Sequence, residues 1–147
     1  MATGLTTTTY QVEVDQFAGG NDARFRVVAT DGINIATDES APVTIPNKAP
    51  TALIADPVDG ARFVPGALVV LQGSAIDLED GRLADEALQW TSDRQGNLGT
   101  GPSIPLSALE PGLHTITLQT QDSDGATATD AISIFIGYEM YLPIVTK

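Results

Sequence analysis

Hydrophobic and polar positions alternate along much of this chain, whereas apolar residues at helical spacing are scarce. Alternation places successive side chains on opposite faces of a strand, and these segments are rich in Thr, Val and Ile. The residues that share one face of each predicted strand are Tyr10, Val12 and Val14; Phe25, Val27 and Ala29; Val69, Leu71, Gly73 and Ala75; His114, Ile116, Leu118 and Thr120; and Ile132, Ile134 and Ile136. Turn signals such as GG, DG, PG and SDG separate the segments. The pattern predicts an all-β antiparallel sandwich or small barrel.

One sequence pattern occurs twice in the chain. FRVVATD, which starts at Phe25, aligns with ITLQTQD, which starts 91 residues later at Ile116. The same offset aligns Val43 and Ile45 with Ile134 and Ile136. A repeat of about 90 residues matches one immunoglobulin-type sandwich, which has roughly 100 residues. The alternative is that any two hairpins look alike.

The repeat predicts how the chain is divided. We interpret residues 1–46 as the last two or three strands of a sister domain, 47–50 (NKAP) as a linker, 51–137 as a complete sandwich of about seven strands, and 138–147 as a tail. Because a lone hairpin is marginal in water, we expect residues 1–46 to pack on a neighbour, to pair with another copy as an edge-strand dimer, or to stay mobile.

Charge and composition exclude several functions. The chain carries 19 acidic and 7 basic residues, for a net charge of −12, so nucleic acid and anionic membrane surfaces are unfavourable partners. It has no cysteine, which excludes disulfides and thiolate metal sites. No apolar run approaches the roughly 20 residues of a membrane span, so we expect no membrane insertion. The first residues, MATGLTTTTY, lack the pattern of a signal peptide, and we expect one upstream of this sequence.

Three segments carry a family resemblance. EPGLHTITLQTQDSDGATATDAISI resembles the closing strands of polycystic-kidney-disease (PKD) repeat domains and their bacterial immunoglobulin-like relatives. GSAIDLEDG resembles the family's second strand, and NKAPTALIADP resembles its opening. The chain departs from the family at Trp90-Thr-Ser-Asp-Arg-Gln-Gly96 and at His114, where tyrosine is usual. The resemblance implies an immunoglobulin-like (PKD-like) β-sandwich from a secreted or cell-surface bacterial protein, and therefore an extracellular location.

Acidic loops are the candidate metal site. In an immunoglobulin-like sandwich the loop between the second and third strands and the loop before the last strand lie at one end, where the chain also enters. The polar residues at these three places are Asp77, Glu79 and Asp80; Asp122 and Asp124; and Asn47. Calcium prefers such oxygen ligands. The resemblance implies Asn47, Asp77 or Asp80, and Asp122 or Asp124 as ligands; the alternative is ordinary solvated turns, in which Asp caps its own backbone.

Catalysis is not indicated. The only histidine, His114, has inward parity, which favours a hydrogen-bonded structural role. The glycines of GNLGTG (96–101) precede no helix pattern, so we interpret this segment as a turn rather than a nucleotide-binding loop. Trp90 is predicted to fill the core between the sheets, with stacking on a sugar as the alternative. We therefore predict no enzyme.

The predicted function is structural. We expect an extracellular module that spaces, stiffens or assembles neighbouring domains of a larger secreted protein, with calcium at the joint between domains. The alternative is a carbohydrate- or protein-binding (adhesion) module. Fold analogy alone does not assign either function.

Overall fold

The chain is divided into two compact units, each built from strands. The structure, a computed structural model, describes residues 9–138, and its units are Met1–Lys48 and Ala49–Lys147. The division falls inside the predicted linker 47–50; that the first unit belongs to a sister domain stays a prediction. The predicted tail lies outside the described residues except for Tyr138. No helix within 9–138 has the length and apolar character needed to cross a membrane.

The first unit is essentially one long hairpin. Its elements are a 3-10 helix (Val14–Gln16), β1 (Gly20–Ala23), β2 (Arg26–Thr30), β3 (Ile35–Glu39) and β4 (Val43–Ile45). β1 pairs with β4 and β2 pairs with β3, both antiparallel. The pairs Gly20–Ile45 and Thr30–Ile35 are placed symmetrically about the turn at 31–34. The two ladders therefore belong to a single hairpin with an irregularity between them.

The strand predicted from Tyr10, Val12 and Val14 is wrong. No strand forms between residues 9 and 19, and Val14–Gln16 is a 3-10 helix. Alternation indicates which side chains would share a face if a strand formed. A strand also needs a neighbouring strand whose backbone hydrogen-bonds with its own. No described residue supplies that ladder to this segment.

The second unit is a two-sheet sandwich. Its strands are β5 (Thr51–Asp56), β6 (Arg62–Phe63), β7 (Val69–Asp77), β8 (Gly81–Arg82), β9 (Gln89–Ser92), β10 (Gly96–Thr100), β11 (Ser103–Leu106), β12 (Gly112–Gln121) and β13 (Thr127–Ile136), with a 3-10 helix at Asp85–Ala87. One sheet has the order β10-β9-β12-β13-β6, and the other has the order β11-β7-β5 with β8 beside β7. Every pairing is antiparallel except β6 with β13. The predicted immunoglobulin-like sandwich is confirmed.

The core lies between the two sheets of the second unit. Its largest fully buried side chains include Trp90, Leu71, Leu88, Ile116, Leu118, Ile134, Ile136, His114, Val69 and Thr120. The inward faces predicted from alternation in β7, β12 and β13 are thus confirmed, because these positions are buried and their neighbours are mostly exposed. Trp90 is 0% exposed and its indole N–H donates to the Gly101 carbonyl (2.8 Å). The core interpretation of Trp90 is confirmed, and sugar stacking on this residue is excluded.

The interpretation of GNLGTG as a turn is wrong in part. Gly96–Thr100 forms β10, an edge strand that pairs with β9. The register shifts between Asn97 and Gly99, and Gly99 adopts a φ of +134°, which side-chain-bearing residues rarely adopt. A glycine-rich strand with a bulge has no alternation to reveal it, which is why the sequence pattern missed this strand.

We expect Gly73→Ala to destabilise the second unit. A Cβ on Gly73 would lie 2.8 Å from Leu118 Cδ2 and 2.8 Å from Trp90 Cζ2, both in the packed core. Overpacking of this kind costs about 1–3 kcal/mol of unfolding free energy, measurable by urea denaturation. The same substitution at Gly20, whose Cβ would meet nothing within 4 Å, is the control and should change stability by less than about 0.5 kcal/mol. Equal effects of the two substitutions would contradict this packing.

Candidate functional site

Two acidic loops meet at one pole of the second unit. The loop between β7 and β8 and the loop between β12 and β13 are joined by Asp80 and Ser123. One Asp80 carboxylate oxygen accepts the Ser123 backbone N–H (2.8 Å), and the other accepts the Ser123 hydroxyl (2.9 Å). β5 begins at the same pole, because Thr51 pairs with Ile76, the residue before Asp77. The chain therefore enters the sandwich beside the acidic loops.

Asp77 caps the first acidic loop from inside. Its Oδ1 accepts the backbone N–H groups of Glu79 and Asp80, each at 2.8 Å. Asp77 is only 3% exposed, and its Oδ2 is buried with no hydrogen-bond partner. A buried carboxylate oxygen without a donor is unfavourable, since burial removes the water that would otherwise solvate it. This oxygen is the feature of the pole that ordinary turn chemistry does not explain.

Asp122 caps the second acidic loop in a similar way. Its Oδ1 accepts the N–H groups of Asp124 (3.0 Å) and Ala126 (2.7 Å), and the residue is 8% exposed. Asp124 is exposed and Glu79 is half-buried. Asp77, Asp80 and Asp122 each use one carboxylate oxygen to accept backbone N–H groups, which agrees with the alternative interpretation of these loops as turns.

The metal-ligating set predicted from sequence is only partly brought together. Asp77, Asp80 and Asp122 lie on the two joined loops. Asn47 belongs to the first unit. Among residues 9–138 no three His, Cys, Asp or Glu side chains are arranged as a ready-made metal cage. Calcium can also use backbone carbonyls and water, so the test of fit rests on the buried Oδ2 of Asp77, which is the kind of hard oxygen that calcium takes.

His114 and Ser92 form a buried polar pair. His114 Nε2 lies 2.7 Å from the Glu110 carbonyl, which can only accept, so Nε2 carries the hydrogen in the neutral ring. Nδ1 then accepts from the Ser92 hydroxyl at 2.9 Å. His114 is fully buried and Ser92 nearly so. The predicted structural role of this histidine is confirmed, since neither side chain is open to a substrate and the orienting group is a backbone carbonyl rather than a carboxylate.

The neighbouring Asp93 supports the same strand pair. Its Oδ1 accepts the Thr115 backbone N–H at 2.8 Å. This hydrogen bond is the main reason that the pKa of Asp93 lies below its ordinary value. The carboxylate therefore stabilises the connection between β9 and β12 in its ionised form.

Asp31, in the first unit, lies 91 residues before Asp122 and caps its turn in a similar way. Its Oδ1 accepts the N–H groups of Asn34 (2.7 Å) and Ile33 (2.9 Å), and its Oδ2 accepts the Asn34 side-chain amide. These donors, led by the Asn34 backbone N–H, lower the pKa of Asp31 from 3.8 to about 2. We predict that a carboxyl-carbon NMR titration of Asp31 will show a midpoint near 2.

The lowered pKa of Asp31 determines how the stability of the turn depends on pH. Because the folded pKa lies below the unfolded value, the ionised carboxylate stabilises the turn above about pH 4, and this stabilisation is lost as the pH falls through about 2. Asn34→Ala removes the side-chain donor and should move the midpoint of Asp31 upward. A midpoint at the ordinary 3.8 in the unaltered protein would show that the turn does not form in solution.

Sequence reasoning missed two polar contacts between distant strands and loops. Asp130 Oδ2 accepts the Ile54 N–H at 2.7 Å, which links β13 to β5 across the two sheets. Ser123 bridges the acidic loops. Asp130 lies two residues before the buried Ile132 in β13, so its inward parity was a usable signal. The sequence around Ser123 contains no comparable signal for its contact with Asp80.

The comparisons with known proteins support the fold. No protein-family model matches it, and no curated protein is significantly similar to it in sequence. Among solved structures, the fibronectin(III)-like modules of Clostridium thermocellum CbhA match with a TM-score of 0.53 and 20% identity, over 84% of this chain and 69% of that chain. The match supports the immunoglobulin-like sandwich, and a specific PKD-like membership is not shown by it.

Proposed function

We propose that the second unit is a non-catalytic extracellular module that spaces, stiffens or holds together neighbouring domains of a larger protein, with calcium bound at its acidic loops. The observation that carries the proposal is the pole itself: two acidic loops tied through Asp80 and Ser123, beside the point where the chain enters β5. A cation at that place acts on the connection between domains. The extracellular setting is proposed from the family resemblance in the sequence and the type of fold.

The non-catalytic role is supported by what fills the sandwich. Ser92 and His114, whose side chains could otherwise act as a nucleophile and a base, are buried and hydrogen-bonded to each other within the core. The hydrophobic cluster that surrounds them consists of aliphatic side chains and Trp90.

Calcium is supported by the buried oxygen of Asp77. Two carboxylates, Asp77 and Asp122, are more than nine-tenths buried at the pole. Burying negative charge is costly unless a donor or cation compensates it. Calcium would be held by Asp77 Oδ2, with Asp80, Asp122 or Asp124, Glu79 and the linker residue Asn47 as the further ligands predicted from sequence. Bound there, the ion would neutralise repulsion and fix the loops; it would supply no reaction chemistry.

We predict that calcium raises the unfolding midpoint of the second unit. Extracellular modules bind calcium with dissociation constants of roughly 10⁻⁴–10⁻³ M, so a few millimolar adds about 1–2 kcal/mol by mass action. The midpoint should therefore rise by several degrees between EDTA and calcium in a thermal melt. Asp77→Asn keeps the side-chain shape and should abolish the rise, whereas Glu110→Gln, at the other end of β12, should retain it. Equal midpoints in EDTA and calcium would exclude the calcium site.

A second measurement tests the stiffening itself. Residual dipolar couplings of the two units report whether they share one alignment tensor. We expect a shared tensor in calcium and different tensors in EDTA. Different tensors in both conditions, together with a calcium-dependent midpoint, would mean that calcium binds without stiffening the connection.

Binding of a ligand is the weaker candidate. The large hydrophobic side chains exposed within residues 51–137 are aliphatic: Leu53, Val58, Val64, Leu68, Ile76, Leu78 and Leu113. Carbohydrate recognition usually needs an exposed aromatic platform, which this stretch does not present. Leu53 and Ile76 are exposed on the neighbouring strands β5 and β7. Their aliphatic side chains would suit contact with another protein, so protein binding is the form of adhesion that this surface favours.

A further inference from the structure

The hairpin of the first unit exposes the face that its counterpart buries. Phe25, which immediately precedes β2, and Val27 and Ala29 within β2 share one side by alternation, and Val27 is 66% exposed. In the hairpin of β12 and β13, the residues 91 positions later are Ile116, Leu118 and Thr120, of which none is more than 1% exposed. Side chains that the sequence places in equivalent positions therefore meet solvent in one unit and a protein core in the other.

The two hairpins are similar in pairing near the turn, where Val27–Asp38 in the first corresponds to Leu118–Asp130 in the second. Away from the turn the first hairpin carries a register shift between Gly20 and Ala23, whereas the second is continuous to Gly112–Ile136. At the turn, the last pair is Thr30–Ile35 in the first hairpin and Gln121–Thr127 in the second, so the second loop is one residue longer. Each loop begins with an aspartate, Asp31 or Asp122, that accepts the backbone N–H of the residue two positions later. The pairing beside the turn and the aspartate cap are thus shared by the two hairpins, and the repeat seen in the sequence is the interpretation on which the proposal below depends.

The second unit shows what covers such a face. Leu118 packs against β7, where a Cβ on Gly73 would come within 2.8 Å of it. The residue paired with Leu118 is Asp130, whose Oδ1 accepts the Ala131 N–H and whose Oδ2 accepts the N–H of Ile54 on β5. The covering layer is thus a sheet with aliphatic inner side chains, whose first strand donates one backbone N–H to an aspartate.

Asp38 repeats half of that arrangement. It is paired with Val27 as Asp130 is paired with Leu118. Its Oδ1 accepts the N–H of the next residue, Glu39, at 3.0 Å, as Asp130 does with Ala131 at 2.9 Å. Asp38 is exposed, and within residues 9–138 its second oxygen receives no hydrogen bond. The position that Ile54 N–H occupies in the second unit is therefore open in the first.

We propose that the face formed by Phe25, Val27 and Ala29 is the docking surface for the front half of a second immunoglobulin-like sandwich. That front half is an antiparallel sheet equivalent to β5, β7 and β11, carried by polypeptide other than residues 9–138. Its inner face is aliphatic, and its first strand donates a backbone N–H to Asp38. The surface is independent of the calcium proposed at the acidic loops, so either proposal can fail alone.

The test adds the front half of a sandwich to the hairpin of the first unit. A second copy of residues 49–111 is inserted directly before Gly20, so that the copy precedes this hairpin as the original precedes Gly112. Amide hydrogen exchange of residues 26–30 and 35–39 is then compared with that of the unaltered chain. We expect exchange to slow by roughly a hundredfold or more, because these amides become part of a packed sandwich.

Matched variants make the result specific. In the extended chain, Val27→Asp and Asp38→Ala should restore fast exchange, whereas Val28→Asp and Glu39→Ala, on the opposite face of the hairpin, should not. If the extended chain does not fold, the unaltered full chain and its Val27→Asp and Val28→Asp variants are compared by sedimentation equilibrium. The proposal expects all three to be monomeric, because a second copy is not the occupant of this face.

Two results would overturn it. The first is fast exchange in an extended chain whose residues 112–136 remain protected. The second is self-association of the unaltered protein, seen by sedimentation equilibrium and abolished by Val27→Asp but not by Val28→Asp, since a second copy would then be the occupant of this face.

Discussion

Trp90→Ala should lower the unfolding free energy of the second unit by about 3–5 kcal/mol. Trp90 is 0% exposed, lies in the centre of the core and donates its indole N–H to the Gly101 carbonyl at 2.8 Å. The substitution removes the largest buried side chain and leaves both a cavity and an unsatisfied carbonyl. Chemical denaturation followed by circular dichroism measures the change, because the variant has no tryptophan fluorescence.

Trp90→Phe separates the two contributions. Phenylalanine keeps most of the apolar volume but has no donor for the Gly101 carbonyl, so its cost should be smaller and near the roughly 1–3 kcal/mol of an unsatisfied buried acceptor with some lost volume. An unchanged denaturation midpoint for Trp90→Ala would contradict the core position of this residue.

Much of the fold could be predicted because its physical cause is periodic. β7, β12 and β13 each bury one face, so their inward residues had to alternate with polar ones, and the pattern gave His114 and Ile134 their correct sides. β10 buries little and bends at Gly99, and its sequence therefore carried no period to detect. Tyr10–Val14 had the period without a partner strand. Alternation is thus a consequence of burial in a sheet, and it neither guarantees a ladder nor reports every strand.

The candidate site was predictable in its location but not in its contacts. Topology alone brings the loops of Asp77 and Asp122 to one end of a sandwich. The hydrogen bonds of Asp80 to Ser123, and the burial of Asp77 Oδ2, depend on loop conformations that no residue pattern specifies. Asp-Gly turns look the same in sequence whether their carboxylates cap backbone amides or bind a cation. That is why the metal assignment remains a proposal with a decisive measurement.

Equivalent substitutions in the two hairpins should have very different costs. Leu118→Ala removes a fully buried side chain and should destabilise the second unit by about 2–5 kcal/mol in urea denaturation. Val27, which lies 91 residues before Leu118 and aligns with it in the proposed repeat, is 66% exposed, so Val27→Ala should change stability by no more than about 0.5 kcal/mol. Ile116→Val, a smaller deletion at a buried position of the same strand, should cost about 0.5–1.5 kcal/mol and calibrates the series.

The expected difference in cost between Leu118→Ala and Val27→Ala arises because a second sheet covers Leu118, whereas Val27 is exposed. An apolar side chain on a strand contributes to stability in proportion to the surface that another sheet removes from water. Leu118 has that sheet, because a Cβ on Gly73 of β7 would lie only 2.8 Å from Leu118 Cδ2, whereas Val27 is 66% exposed. If Val27→Ala proved as costly as Leu118→Ala in the unaltered chain, the first hairpin would already be covered in solution. Its face would then not be open to the front half of another sandwich.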